Sequence, residues 1–287
     1  DSQVALRPGL VGLEAWNRRT EQTADHAADP YCILPDSDPS GCFQADAEAD
    51  HYFRLERAIE KGWVPLLQRS VSTEGDHPVF KVFLAAGSDA HGDFNYETSL
   101  DVVDYVVNPE RAMTRGISGY AEDNALGRVS TVAYSPNGMG ARGEGVLRSV
   151  RAGRTVLSDG PLAAAGFDTD RNGRLDSGDV HVGGELSVAD GAFPALVIEL
   201  STSVEFGPFE KLSLKLGDRE GETVLRELPP LSGGDSKNEY RFSVELTESL
   251  SGKAPGWYWV RLEARTRTSR GEGFRCYTNP IWIHLQD

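Results

Sequence analysis

Over the last third of the chain, apolar and polar residues exchange places at every second position. The pattern runs through Leu196–Leu200, Leu212–Leu216, Tyr240–Leu246, Trp257–Ala264 and Ile281–Leu285. In Trp257–Ala264, Tyr258, Val260, Leu262 and Ala264 share one face, while Trp259, Arg261 and Glu263 share the other. Period two is the mark of a half-buried β-strand, because successive side chains point to opposite sides of a sheet. Turn-forming stretches such as Pro-Pro-Leu-Ser-Gly-Gly-Asp-Ser-Lys-Asn at 229–238 separate these segments. Short alternating strands joined by such turns predict an immunoglobulin-like β-sandwich over residues 191–287.

The first half reads differently. Tyr52, Leu55 and Ile59 form a stripe of helical period within 46–62, with acidic residues in the first turn and Gly62 placed as a stop. The run Val-Phe-Lys-Val-Phe-Leu-Ala-Ala at 79–86, bounded by Pro78 and Gly87, predicts a buried strand. A second short buried strand is expected at 10–17, with Val11, Leu13 and Ala15 on one face and Glu14 emerging. A third is expected at 129–134. A helix over 144–152 should bury Val146, Leu147 and Val150 and end at Gly153. Mixed strands and helices followed by strands alone place the fold class as α/β plus all-β.

A chain of 287 residues is long enough for two domains, and 25% charged residues with 39% hydrophobic ones is an ordinary globular composition. Its formal charge of −15, with the basic residues scattered, disfavours nucleic acid as a partner. No stretch reaches the roughly 18 to 20 apolar residues that a membrane-spanning helix requires. A chain that opens inside a core strand is expected to have lost a preceding segment of the same protein. Cys32 and Cys42 lie in a Pro-, Asp- and Ser-rich loop; they either form a bridge, worth about 2 to 3 kcal/mol, or remain reduced thiols. Cys276 reads as a small buried residue, since no basic cluster adjoins it in sequence.

Two patterns carry candidate chemistry. Ser88-Asp89-Ala90-His91-Gly92 follows the predicted strand at 79–86, and a carboxylate and an imidazole two residues apart at a strand end suit zinc, manganese or iron. The same pair also serves as a hydrogen-bonded turn. The second pattern occupies 168–179, where Asp168, Asp170, Asn172, Arg174, Asp176 and Asp179 fall at positions 1, 3, 5, 7, 9 and 12 of a calcium loop. Gly173 stands at position 6, where the sharp turn falls, and Leu175 at position 8, where an aliphatic residue anchors the loop. Arg174 would offer its backbone carbonyl, and Asp179 replaces the usual glutamate with a shorter reach. Without a cation this segment would be a solvated acidic turn. No flanking helices are predicted, so the loop is expected to be a structural connector over 166–190 and not a sensor. Trp257 and Trp259 offer either a sugar-stacking platform or core packing. Ser135 and Ser158 show no usable triad spacing.

The order Leu-Val-Gly-Leu-Glu-Ala-Trp-Asn at 10–17, a helix, a strand ending in Gly-Ser-Asp-Ala-His-Gly at 87–92, Gly-Arg-Val-Ser-Thr-Val-Ala-Tyr at 127–134, and Gly-Val-Leu-Arg-Ser-Val-Arg-Ala-Gly-Arg-Thr-Val-Leu-Ser-Asp-Gly-Pro at 145–161 resembles the PHP (polymerase and histidinol phosphatase) superfamily, in its CehA/McbA-like branch. That resemblance implies a partial PHP-type (β/α) barrel over 1–165. It further implies Asp89 and His91 as metal ligands, Glu14 and Asn17 beside the site, and metal-activated water attacking a small-molecule ester or phosphoester. The family's HxH pair is missing: none of the six histidines is two positions from another. The full metal cluster would therefore need the preceding segment. A secreted or periplasmic location is expected from the calcium loop. The competing class is a non-catalytic, calcium-stabilised binding or structural module.

Overall fold

The computed structural model describes residues 12–16, 53–71, 78, 80–87, 130–135, 143–189, 193–228, 230–231, 239–269, 271 and 273–286. The chain divides into two compact units, one of residues 1–13, 61–85 and 131–287, the other of residues 14–60 and 86–130. Strand β1 (Gly12–Trp16) and helix α1 (Phe53–Ala58) form within the segments the pattern predicts, while strand β2 (Phe83–Ala86) occupies only the second half of the strand expected over 79–86, residues 80–82 being outside any strand. The helix does not stop at Gly62. It widens into a π-helical turn over Ile59–Trp63 and resumes as α2 (Val64–Ser70). Pro65 in the first turn of α2 has no N–H to give the preceding turn, and the wider π geometry absorbs that missing bond.

The remaining strands build a β-sandwich, and the described residues are mostly strand. They are β3 (Ser130–Ala133), β4 (Thr155–Ser158), β5 (Leu162–Phe167), β6 (Val180–His181), β7 (Glu185–Val188), β8 (Leu196–Ser201) and β9 (Phe209–Asp218). These are followed by β10 (Gly221–Leu228), β11 (Glu239–Val244), β12 (Gly256–Arg267), β13 (Gly273–Thr278) and β14 (Ile281–Leu285). An eight-stranded sheet runs β10-β9-β12-β13-β4-β3, with β14 pairing both β12 and β7; a four-stranded sheet runs β11-β8-β5-β6. The core lies between them. Ala163, Ala165, Phe167, Leu196, Ile198 and Leu200 from the smaller sheet meet Leu212, Leu214, Leu216, Val260, Leu262 and Ile283 from the larger. No closed (β/α) barrel is shown among the described residues.

These ladders reach upstream of the boundary expected at 191. Ser158 of β4 registers with Cys276 of β13, and Ala165 of β5 with Ile198 of β8. β7 pairs in parallel with β14, placing Leu186 beside Ile283. The segment Leu-Ala-Ala-Ala-Gly-Phe alternates too weakly to announce a strand, and partners distant along the chain, in β6 and β8, supply the ordering.

Strand β12 is buried on both faces. Besides the expected core face, Trp259 is fully enclosed and Arg261 is only 3% exposed. Trp63 lies on that outer face, with the Arg261 guanidinium 5.3 Å from the centre of its ring, and helix α2 packs on the neighbouring strands β9 and β10. Glu222 and Glu263 clamp Arg261 at 2.5 and 2.7 Å. Burial acts to lower its pKa, but the two carboxylates outweigh it and raise the pKa above its ordinary value. Asn279, wholly buried, takes the place of a strand neighbour. Its Oδ1 accepts the Leu84 N–H at 2.7 Å, and its Nδ2 donates to the carbonyls of Leu84 and Thr155 and to Thr155 Oγ1.

Helix α3 (Gly143–Arg151) corrects an expectation. Val146, Leu147 and Val150 are exposed, while Gly145 and Ser149 are buried. Ser149 Oγ donates to the Tyr134 carbonyl at 2.8 Å, and the backbone of Arg154 links Ser149 to Tyr134. Small residues let the helix approach the strand segment closely, and the hydroxyl needs an acceptor there; together they turn the apolar stripe outward. No helix among the described residues is long and apolar enough to cross a membrane.

Candidate metal centre

The loop at 168–179 connects β5 to β6, so both of its ends are tied to the smaller sheet. It begins after Phe167, which is fully buried, and Leu175 turns inward as the calcium-loop pattern requires. A Cβ at position 166 would come within 2.7 Å of Leu175 Cδ2, which explains the glycine beneath the anchor. Gly173 at φ 74° and Arg171 at φ 60° supply two left-handed residues for the tight coil. The backbone amides inside that coil point at the carboxylates. Asp168 accepts from Asn172 N at 3.0 Å and Gly173 N at 2.7 Å. Asp179 accepts from Thr169 N at 2.9 Å and Asp176 N at 2.8 Å.

Three of the expected ligands converge. One carboxylate oxygen from each of Asp168, Asp170 and Asp179 lies within 4.8 Å of the others, and Asp168 and Asp179 are buried. Asp176 joins them through Asn172, whose Nδ2 donates to Asp170 Oδ2 at 2.9 Å and to Asp176 Oδ2 at 2.8 Å. The amide nitrogen thus does between two carboxylates what a cation would do, while Asn172 Oδ1 accepts the Arg174 N–H at 2.8 Å. An all-oxygen, mostly anionic donor set fits calcium and suits softer ions poorly.

The electrostatics show the tension in this cluster. Burial acts to raise the Asp168 carboxyl, but hydrogen bonds from Gly173 and Asn172 overcome it and hold the pKa below the usual range. Asp170 is pushed up, first by burial and then by Asp168, Asp176 and Asp179 around it. The Gly178 amide and the Asn172 side chain hold Asp176 down. Like charges drawn this close repel one another, and a divalent ion would relieve them.

Two residues outside the sequence pattern grip the loop from below. His181 Nε2 lies 2.5 Å from the Asp176 carbonyl, so this nitrogen carries the proton and donates. Tyr134 donates to the Leu175 carbonyl at 3.4 Å, and the two rings meet with centroids 4.8 Å apart. Burial lowers the pKa of His181; burial, then Glu199, Asp179 and Asp176, raise that of Tyr134. His181 stands two residues past the loop's last position, the one signal in the sequence that pointed to it. Nothing local marked Tyr134.

Asp89, His91 and Asn17 lie outside the described residues, as do Cys32 and Cys42. Glu14 is an exposed residue of β1, its Oε1 3.7 Å from where a Cβ at Gly87 would stand. Trp257 and Trp259 are packing residues and not a sugar platform. Trp257 is 5% exposed and stacks on His284 with centroids 4.6 Å apart, and Trp259 donates to Glu222 at 3.2 Å. Cys276 is buried, and burial pushes its thiol up to about 12, which leaves it unreactive. No model of a known protein family and no curated protein sequence matches the chain.

Proposed function

We propose that the chain is part of a secreted or periplasmic metal-dependent hydrolase acting on small-molecule esters or phosphoesters, with an immunoglobulin-like sandwich attached to a PHP-type barrel. The observation that supports this reading is the sequence order, in which Ser88-Asp89-Ala90-His91 follows Gly87 and the end of strand β2 at Ala86. A strand end followed by Gly87 is where a bent backbone can aim a carboxylate and an imidazole at one ion. In this reading Asp89 and His91 hold zinc, manganese or iron, and Glu14 and Asn17 stand beside them. The other ligands come from a preceding segment of the same protein. The metal would supply a nucleophilic hydroxide near neutral pH and polarise the scissile carbonyl or phosphoryl group.

The test uses the protein with its preceding segment. Elemental analysis and hydrolysis of p-nitrophenyl acetate and bis(p-nitrophenyl) phosphate are compared for the parent, Asp89→Ala and His91→Ala. Each substitution is expected to remove bound transition metal and lower turnover at least a hundredfold. Unchanged metal content and turnover in both variants would overturn the hydrolase reading.

A second reading has its own support in the convergence of Asp168, Asp170 and Asp179. Here the sandwich is a calcium-stabilised binding or structural module without catalytic work. The two readings share the calcium loop and differ over Asp89 and His91, so the hydrolysis experiment separates them.

A further inference from the structure

We draw no further inference here: the strongest candidate, the groove of about 590 Å³ bordered by Val132, Tyr134, Leu162, His181, Glu199 and Arg241 along the four-stranded sheet, carries nothing because Tyr134, His181 and the Glu199–Arg241 pair already bond within the chain and nothing in the structure shows what covers it.

Discussion

At the scale of single residues, the carboxylates of the loop carry the most specific expectations. Asp168 stands at the first position of the loop pattern and receives two backbone amides, so it organises the coil, and it would contribute charge to any cation held there. A ligand that binds only the folded state stabilises it by about 2.7 kcal/mol at a hundred times its dissociation constant, which is several degrees of melting temperature for a protein of this size. Saturating calcium is expected to raise the melting temperature of the parent by about 5 to 10 °C, and a chelator to reverse the gain. In Asp168→Ala the calcium-dependent part should vanish. A shift of equal size in that variant would remove the loop as the binding site.

His181 predicts a pH dependence. Its folded pKa lies below the ordinary 6.5 because burial disfavours the charged ring, so the unfolded chain takes up the proton more readily. The stability this residue contributes is complete above about pH 6.5 and declines as the pH falls below it. Replacing it by glutamine keeps a donor for the Asp176 carbonyl and removes the titration. The fall in melting temperature between pH 7 and pH 5, measured at saturating calcium, is therefore expected to be smaller in His181→Gln. An identical fall would show that the imidazole takes no part in it.

At the scale of elements, α3 is where the residue pattern and the packing part company. Its apolar stripe of Val146, Leu147 and Val150 reads as an inward face, yet the buried positions are Gly145 and Ser149. The difference is measurable. Leu147→Glu is expected to change stability by no more than about 0.5 kcal/mol, as for ordinary surface sites, whereas Ser149→Leu should cost roughly 1 to 3 kcal/mol through overpacking and the lost bond to Tyr134. Denaturant titration of the two variants gives the answer, and the reverse ranking would mean that the helix faces the other way. Strand β12 teaches the same lesson more mildly. Its alternation marks it as a strand, but Trp259 and Arg261 on its outer face are also buried, Arg261 against Trp63 and between Glu222 and Glu263.

At the scale of the whole molecule, the sandwich depends on segments upstream of residue 191. A fragment of 191–287 would lack β3, β4, β5, β6 and β7, leaving β8, β13 and β14 each short of a partner and removing Ala163, Ala165 and Phe167 from the core. Such edges invite aggregation. This fragment is expected to show no dispersed amide spectrum and no cooperative melt by circular dichroism. A cooperative transition would show that the later strands are self-sufficient.

How much of this was legible in the sequence follows from the range of the forces involved. Alternation along β8, β9, β11, β12 and β14 is a local property of strands with a buried face, so those strands were readable residue by residue. The convergence of Asp168, Asp170 and Asp179 was readable for the same reason: these carboxylates, the turn glycine Gly173 and the aliphatic anchor Leu175 all lie within twelve consecutive positions. Tyr134 and His181 beneath that loop, Asn279 against Leu84, the outward turn of α3 and the enclosure of Arg261 depend on partners distant along the chain. Tertiary structure alone decided these, because which face is buried, and which donor meets which acceptor, is settled only when separate segments come together.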